Sequence, residues 1–388
     1  MKSERYDVLI AGARCAGAPT AMLLARAGLK VLVVDPQPRG RDTLSTHAVM
    51  RPGVLQLQRW GLLEAIRAAG TPAIRTTTFH YADEAIEIPI KSADGFDALY
   101  APRRTVLDPI LVDAALEAGA AVEHGVYVTE ILRDTDERVR GAVVSNASRD
   151  HRRVVADLVI GADGVRSRVA RELGAEVTTA THNSASSVYG YWRGLPNNGN
   201  HWYYDVGQSV GAIPTNDDET CVFVLVPRET FDAARENGLE PLHRETLEQI
   251  SPNLAEAVAG AEPVGKLRGF AGIPGFFRRS AGPGWALVGD AGYFKDPITA
   301  HGITDALRDA ELLSMAVLEG RDEALLAYEA TRNRLARSLL DITDRIASFE
   351  WDLETVKAYH LSLSREMKKE VEYLRSLGEG PSMGSLRA

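Results

Sequence analysis

A strand, a glycine-bearing turn, a helix and a second strand follow one another near the start of the sequence. Tyr6 to Ala11 form a short apolar run that is typical of a buried parallel strand, and Ala18 to Ala27 are rich in helix-forming residues. Val31 to Val34 repeat the strand pattern and end at Asp35, and Gly28 marks the end of the helix. This order predicts a βαβ unit, and therefore an α/β fold with a parallel sheet.

The turn of this unit differs at one position from the dinucleotide-binding pattern G-x-G-x-x-G, because its residues are Gly12, Ala13, Arg14, Cys15, Ala16 and Gly17. Backbone N–H groups at a helix start bind diphosphates, and the acid after the second strand binds a ribose hydroxyl. We therefore expect the six turn residues and Asp35 to contact a dinucleotide. Arg14 replaces the second glycine, which requires its side chain to turn away from the ligand. A βαβ unit without a ligand is the alternative.

The composition indicates a soluble enzyme rather than a nucleic-acid-binding or membrane protein. The chain has 388 residues, enough for two or three domains, and its net charge of −9 disfavours a nucleic-acid partner. The sequence contains no run of about 18 apolar residues, so no transmembrane helix is expected. No signal-peptide pattern precedes the first strand, and we expect a cytoplasmic monomer or homodimer. The two cysteines, Cys15 and Cys221, have no metal-ligand spacing, so no metal site is expected.

Strand patterns and helix patterns alternate along the rest of the chain. Pro52 opens a helical pattern, residues 76–99 contain extended segments, and a hairpin leads to a buried strand that ends near Gly161. Residues 184–268 are rich in strands and turns, with one predicted helix from Glu229 to Ile250. The chain thus leaves the nucleotide-binding unit for a second sheet and returns to it twice.

Three separated segments match one family. They are the turn from Gly12 to Gly17 with Asp35, the segment GADGVRSRVA with Asp163, and the segment GDAGYFKDPITAHG with Asp290. In this order they resemble the three fingerprints of the FAD-dependent aromatic hydroxylases, the para-hydroxybenzoate hydroxylase superfamily. Flavin halogenases and geranylgeranyl reductases belong to the same superfamily. The resemblance spans most of the chain and implies FAD as the cofactor.

The resemblance also implies a domain organisation. A Rossmann-like FAD-binding domain would comprise residues 1–75, 100–180 and 270–325. A β-sheet substrate domain, residues 76–99 and 181–269, would be inserted into it, and residues 326–388 would form C-terminal helices. The inserted sheet carries aromatic side chains that could stack on an aromatic substrate, namely Trp192, Trp202, Tyr203 and Tyr204.

The last fingerprint implies most of the flavin contacts. Asp290, which follows Gly289, would accept hydrogen bonds from the ribityl hydroxyls. Contacts with the isoalloxazine ring would come from Pro297, Ala300, His301, Gly302 and Ile303. N–H groups at the start of this helix would stabilise the negative charge of a reduced flavin. The usual family pattern is P-x-x-G-x-G-x-N, and this chain has Ala300, His301 and Thr304 where Gly, Gln and Asn are common.

Four further cofactor contacts follow from family positions. Arg104, in the pattern Arg-x-x-Leu-Asp, matches an arginine beside the FAD diphosphate, and arginine suits phosphate geometry. Arg51, in the segment RPGV, resembles an arginine that contacts a cofactor phosphate. Asp163 would lie near the diphosphate in a segment linked to NAD(P)H use, and Val128 would lie on the strand that passes the adenine.

His47 is the candidate catalytic residue, because the family's chain passes beside the flavin at this point and imidazole titrates near neutral pH. It could steer a phenol, the flavin edge or a nicotinamide; a hydrogen-bonded packing histidine is the alternative. Arg14 could reach a phosphate or a substrate carboxylate, or could point into solvent.

Four functions are compatible with these features. The first is a monooxygenase, in which NAD(P)H reduces FAD and molecular oxygen forms a C4a-hydroperoxyflavin that oxygenates an organic, possibly aromatic, small molecule. A halogenase is disfavoured, because the segment SVGAIPT has Ile213 and Pro214 but lacks the tryptophans of W-x-W-x-I-P. A geranylgeranyl-reductase-like enzyme lacks support from the family's cysteine-glycine segment, which DTLSTH replaces here. A flavin-binding protein without catalysis is the fourth.

Overall fold

The computed structural model describes residues 4–378. Its strands are β1 (Glu4–Ala11), β2 (Val31–Asp35), β3 (Thr76–Tyr81), β4 (Glu84–Pro89), β5 (Ala121–His124), β6 (Val126–Arg133), β7 (Val139–Asn146), β8 (His151–Gly161), β9 (Val177–Ala180), β10 (Ala185–Arg193), β11 (Asn200–Asp205), β12 (Gln208–Pro214), β13 (Glu219–Pro227), β14 (Glu262–Phe270), β15 (Phe276–Arg278), β16 (Ala281–Gly282), β17 (Trp285–Leu287) and β18 (Tyr293–Phe294).

Its helices are α1 (Gly17–Arg26), α2 (Arg51–Arg59), α3 (Leu63–Ala68), α4 (Arg104–Glu117), α5 (Arg168–Glu172), α6 (Arg228–Ala234), α7 (Leu239–Ile250), α8 (Pro252–Gly260), α9 (Gly302–Leu318), α10 (Asp322–Ala347) and α11 (Leu353–Ser376). Three 3₁₀ turns lie at Arg235–Asn237, Gly289–Ala291 and Pro297–Thr299.

The first sheet brings the three sequence fingerprints to one edge. Its strand order is β16-β17-β8-β1-β2-β5, and the β6–β7 hairpin joins it through β8. Strands β17, β8, β1, β2 and β5 are parallel, and Ala11, Val34, Gly161 and Leu287 lie in one row near their carboxyl ends. The turn after β1, Asp35, the segment after β8 and the segment after β17 therefore meet at this edge, where α/β sheets bind ligands.

Both faces of this sheet are covered, as the apolar strand sequences predict. Ile10 and Val33 belong to one buried cluster with α1, α4 and α9, whereas Leu9 and Leu32 belong to a second cluster under the β6–β7 hairpin and α5. The parallel sheet with its helices confirms the predicted α/β class.

A second sheet has the order β14-β10-β13-β12-β11-β3-β4, in which β3 is parallel to β11 and the other pairs are antiparallel. One face packs on the first domain's core through residues such as Trp202 and Phe223. The other face is covered by α6, α7 and α8, with Phe231 and Leu247 in the contact. A small sheet of β18, β15 and β9 lies beside these two.

The predicted helix from Glu229 to Ile250 is wrong in one respect, because it is interrupted. Helix α6 ends at Ala234, a 3₁₀ turn follows, and Gly238 has a φ of 91° before α7 begins. Glycine adopts this left-handed conformation at little cost, so the chain breaks there.

Helices α10 and α11 follow α9 in the chain. Helix α11 also reaches the second sheet, where Tyr81 Oη and His360 Nδ1 are 2.7 Å apart. The part of the predicted helical region from residue 379 onwards lies outside the described residues. Among the helices of residues 4–378, none combines the length and apolarity needed to cross a membrane.

Candidate active site

The glycines of the turn after β1 are required by close packing. Gly12 has a φ of 110°, and a Cβ there would lie 2.3 Å from the carbonyl oxygen of Ala162. A Cβ on Gly17 would lie 1.8 Å from the carbonyl oxygen of Gly12. Arg14 needs no glycine-only conformation, and its half-buried side chain forms no hydrogen bond or ion pair within residues 4–378. The turn therefore tolerates an arginine at the second glycine position of the motif.

Asp35 holds the turn against the end of β2. Its Oδ2 accepts a hydrogen bond from the Ala13 N–H at 2.8 Å, and its Oδ1 accepts one from the Gln37 N–H at 2.7 Å. Beside it lies a cavity lined by Ala13, Arg14, Asp35, Gln37, Arg41 and Asp108, among others. A ribose contact at Asp35 stays a prediction, and Gln37 and Arg41 are lining residues that sequence reasoning missed.

A buried ion pair supports the turn from α4. The guanidinium of Arg104 binds the Asp108 carboxylate twice, at 2.9 and 3.0 Å, and the Cys15 thiol donates to Asp108 at 3.4 Å. Burial raises the pKa of the Cys15 thiol, so it stays protonated. The contact of Cys15 with a diphosphate stays a prediction. Asp108 was missed, although its position four residues after Arg104 on a helix is a recognisable pairing signal.

Asp290 lies half-buried at the end of β17, in the 3₁₀ turn Gly289–Ala291. A Cβ on Gly289 would lie 2.8 Å from the Ala16 Cβ, so this turn packs directly on the turn after β1. Burial and the charge of Asp305 raise the pKa of Asp290 to about 7, against the attraction of Arg104. Within residues 4–378 the Asp290 carboxylate has no hydrogen-bond donor, as suits an acceptor for ribityl hydroxyls.

The segment from Asp296 to Ile303 joins this site to the second sheet. The Asp296 carboxylate, missed by sequence reasoning, accepts hydrogen bonds from the N–H groups of Ile298 at 2.9 Å and Ala185 at 2.8 Å. Pro297 opens the 3₁₀ turn, and Gly302 and Ile303 begin α9, with His301 at the helix cap. The backbone N–H groups of this helix start face no partner within their own helix, so they are available to an anion.

Asp163 and Val128 have structural partners of their own. The Asp163 carboxylate caps α5, accepting from Ser167 Oγ and from the N–H groups of Arg168 at 2.7 Å and Val169 at 3.1 Å. Val128 is buried on β6, and its carbonyl accepts from Arg168 Nη1 at 3.3 Å. The Asp163 side chain therefore shapes this segment, and its contact with a cofactor stays a prediction.

The Arg51 guanidinium is bound to a neighbouring loop. It donates to the Lys91 carbonyl at 2.9 Å, lies 3.8 Å from the Asp94 carboxylate and stacks 4.8 Å from the centre of the Phe96 ring. A contact with a cofactor phosphate would require it to leave these partners, so this assignment also stays a prediction.

His47 connects the two domains. It is fully buried with a φ of 65°, and its Nε2 lies 2.5 Å from Tyr191 Oη on β10. Burial, together with the nearby Arg103, lowers the pKa of His47 to about 3. The expectation that it titrates near neutral pH is therefore wrong, and the imidazole is neutral. Its Nδ1 has no partner within the described residues, and the Arg103 guanidinium lies 3.7 Å from the centre of the Tyr191 ring.

The four aromatic residues of the second sheet divide between its faces. Trp202 and Tyr204 are buried on the face toward the first domain. Trp192 stacks on His243 of α7 on the opposite face, and Tyr203 stacks on His80 there. Side chains alternate along a strand, so only Trp202 and Tyr204 face the first domain, and their contact with a substrate stays a prediction.

The comparisons with known proteins agree with this arrangement. The family model described as "FAD binding domain" matches residues 5–343. The chain is 27% identical over 337 residues to digeranylgeranylglycerophospholipid reductase 2 of Methanopyrus kandleri, covering 82% of this chain and 78% of the relative. It is 23% identical to the 1H-pyrrole-2-carbonyl-[peptidyl-carrier protein] brominase of Pseudoalteromonas luteoviolacea, covering 82% and 79%. It is 25% identical to the squalene monooxygenase of Candida glabrata, covering 79% and 70%.

Among solved structures, PqsL of Pseudomonas aeruginosa in complex with 2-aminobenzoylacetate has the same fold. The TM-score is 0.78 at 23% identity, and the match covers 94% of this chain and all (100%) of that one. The chain belongs to the FAD-binding-domain family, within the superfamily of FAD-dependent monooxygenases and related oxidoreductases.

Proposed function

We propose that the protein is an NAD(P)H-dependent flavin monooxygenase that hydroxylates or epoxidises an aromatic, polyketide or similar small molecule. The observation that carries the proposal is the buried junction at His47 and Tyr191, where the cofactor edge of the first sheet meets an apolar sheet face. Bound FAD would supply the redox chemistry, accepting a hydride from NAD(P)H and activating molecular oxygen. The chain's own residues bind, orient and exclude water.

The cofactor would be held at its diphosphate and at its ribityl chain. Asp35 fixes the turn after β1, which would bind the diphosphate, and Asp108 orients Arg104 beside it. Asp290 would accept hydrogen bonds from the ribityl hydroxyls. The start of α9 presents backbone N–H groups where charge develops on reduction. These groups are already in place, so they need little reorganisation during the reaction.

His47 would act as a neutral hydrogen-bond group on the substrate side. With Tyr191 Oη as the donor to Nε2, the imidazole proton would stand on Nδ1, which has no partner within the described residues. The Nδ1–H group would orient a hydroxyl or carbonyl oxygen of the substrate. Trp202 and Tyr204 would cover its apolar body and keep water out.

A flavin reductase of an isoprenoid double bond is the second candidate. The similarity to a digeranylgeranylglycerophospholipid reductase favours it, and so does the unusual loop sequence Ala300–His301. A halogenase is less supported by the sequence of β12, which lacks the tryptophans expected there.

Product mass separates these candidates. Purified holoenzyme is incubated with NADH or NADPH, air and a panel of phenolic, polyketide and isoprenoid compounds, with chloride and bromide present. The proposal expects substrate-stimulated NAD(P)H oxidation and a product heavier by one oxygen atom. A product heavier by two hydrogens supports the reductase, and a halogenated product supports the halogenase. A His47→Ala control reports whether the observed turnover uses the proposed site.

A further inference from the structure

A buried group of charged residues connects the predicted flavin loop, Pro297 to Gly302, with the C-terminal helix α11. His301 Nε2 donates to Glu370 Oε2 at 2.9 Å, and Arg308 Nη1 donates to Glu370 Oε1 at 2.8 Å. Glu370 is 1% exposed, and His301 is equally buried. Although burial opposes ionisation, His301 and Arg308 lower the pKa of Glu370 to about 2. The carboxylate is therefore a charged, fully paired anchor.

The spacing of this group also resembles a metal site, because atoms of His301, Asp305 and Glu370 lie within 4.8 Å of one another. Two cations already neutralise these carboxylates. Lys295 Nζ lies 3.0 Å from Asp305, and Arg308 lies 2.7 Å from Asp305. A divalent ion would add charge where two cations are buried, so the group serves as an ion network rather than a metal centre.

The loop beside this anchor is held in an unfavourable conformation. Ala300 has φ 50° and ψ 38°, which is the left-handed region that favours glycine. Its N–H closes the preceding turn by donating to the Pro297 carbonyl at 2.8 Å. This conformation is unfavourable for alanine because its Cβ crowds the following carbonyl oxygen, so the surrounding contacts must hold it there. The next residue, His301, makes the contact with Glu370.

Glu370 is unusual within its own helix. Most of α11 faces outward, and its buried residues are Val356, Glu370, Val371 and Leu374. Burying the Glu370 carboxylate among these apolar residues costs solvation free energy. Its side chain lies on the side of α11 that contacts the loop at His301. Helix α11 is also held by a contact that does not involve Glu370, since Arg59 of α2 donates to the Leu374 carbonyl at 3.1 Å.

We propose that Glu370 is a positioning residue, through which α11 holds His301 and the left-handed Ala300 in the conformation that receives the flavin ring. The inference rests on the proposed placement of the flavin against this loop. It predicts that FAD binding depends on Glu370 of α11. It also predicts that this dependence becomes smaller when residue 300 is glycine, which adopts the left-handed conformation easily.

The test compares the FAD dissociation constant and the visible circular dichroism of bound FAD in four variants. Glu370→Gln removes the negative charge and leaves one of its two partners, His301 or Arg308, facing an amide NH2 group that cannot accept a hydrogen bond. We expect about tenfold weaker FAD binding, equal to about 1.4 kcal/mol, with an altered flavin dichroism. Ala300→Gly alone should bind like the wild type. The double variant should recover about fivefold of the lost affinity, because glycine removes the left-handed penalty. Glu366→Gln, on the same helix with a surface partner in Lys369, is the matched control.

Two results would overturn the inference: affinity and dichroism of Glu370→Gln within twofold of Glu366→Gln, or no recovery when Ala300→Gly is added. The second result would show that Glu370 acts only on general packing. If Glu370→Gln does not fold, Glu370→Asp replaces it with the same expectations, because the shorter side chain cannot bring its carboxylate to both His301 and Arg308. Failure of the wild type to bind FAD would instead contradict the flavin placement itself.

Discussion

Replacing Asp290 by Asn should stabilise the apoprotein while weakening FAD binding. The pKa of this carboxyl group rises from 3.8 to about 7 on folding, chiefly because of burial. One pKa unit corresponds to about 1.4 kcal/mol, so the ionised group costs the apoprotein up to about 4 kcal/mol above pH 7. Because Asp290 is only half-buried and water screens part of this cost, we expect a gain of about 2 kcal/mol for Asp290→Asn at pH 8.

The sign of the pH dependence follows from linkage. A carboxyl group with a raised pKa in the folded state favours folding below its unfolded pKa of 3.8, and this contribution is lost as the pH rises to about 7. The gain from Asn should therefore be small near pH 4 and complete by pH 8. With FAD bound, Asp at position 290 should instead be favoured over Asn. A hydrogen bond to a charged group contributes about 1.5–3 kcal/mol, so Asp290→Asn should weaken FAD binding tenfold or more.

The assay is urea unfolding of apoprotein at pH 5 and pH 8, with FAD titration of the same samples. Asp113→Asn, at an exposed position on α4, controls for removal of a carboxylate in general. An equal gain at both pH values, or a loss at pH 8, would refute the inference that the ionised Asp290 is unfavourable before FAD binds. Unchanged FAD affinity would show that Asp290 is not a cofactor ligand.

Three further variants test other parts of the site. Arg14→Ser should retain FAD affinity within about threefold, because less than about 1 kcal/mol is expected from a side chain without a partner here; a tenfold loss on titration would assign its guanidinium to the diphosphate. Asp108→Ala should lower the free energy of unfolding by about 3–5 kcal/mol because it leaves Arg104 buried and unpaired, whereas Asp113→Ala should cost about 0–1 kcal/mol; equal costs in urea would contradict this. His47→Ala should keep normal FAD content but slow flavin reduction or substrate oxidation in stopped-flow traces, without removing any inflection near neutral pH, since the pKa of His47 is about 3; wild-type rates in both phases would make it a packing residue.

The meeting of the three fingerprints at one edge of the first sheet was predictable because each of them has a local signature. Glycine is required at positions 12 and 17 because other backbone atoms lie too close for a Cβ. Asp290 closely follows a short apolar strand in the sequence. Parallel strands place their carboxyl ends at one edge, so the order of the fingerprints already implied their meeting.

The contacts between distant segments were not predictable in the same way. Tyr191 and His47 are separated by 144 positions, and Glu370 and His301 by 69, so no periodicity relates them. The environment of His47 was also missed, because its pKa depends on burial and on Arg103, which only the fold brings together. Gly238 is a local signal for the end of a helix, but the helical patterns before and after it led to the prediction of one continuous helix.

The flavin content of the purified protein tests most directly whether the edge formed by the phosphate turn, Arg104 and Asp290 is a cofactor site. Acid precipitation of the protein, or of the apoprotein after reconstitution, is followed by chromatography of the released flavin and by its ratio to protein. We expect yellow protein that releases one noncovalently bound FAD per chain. Colourless protein that cannot be reconstituted with FAD, or that releases FMN instead, would contradict the proposed site and the function built on it.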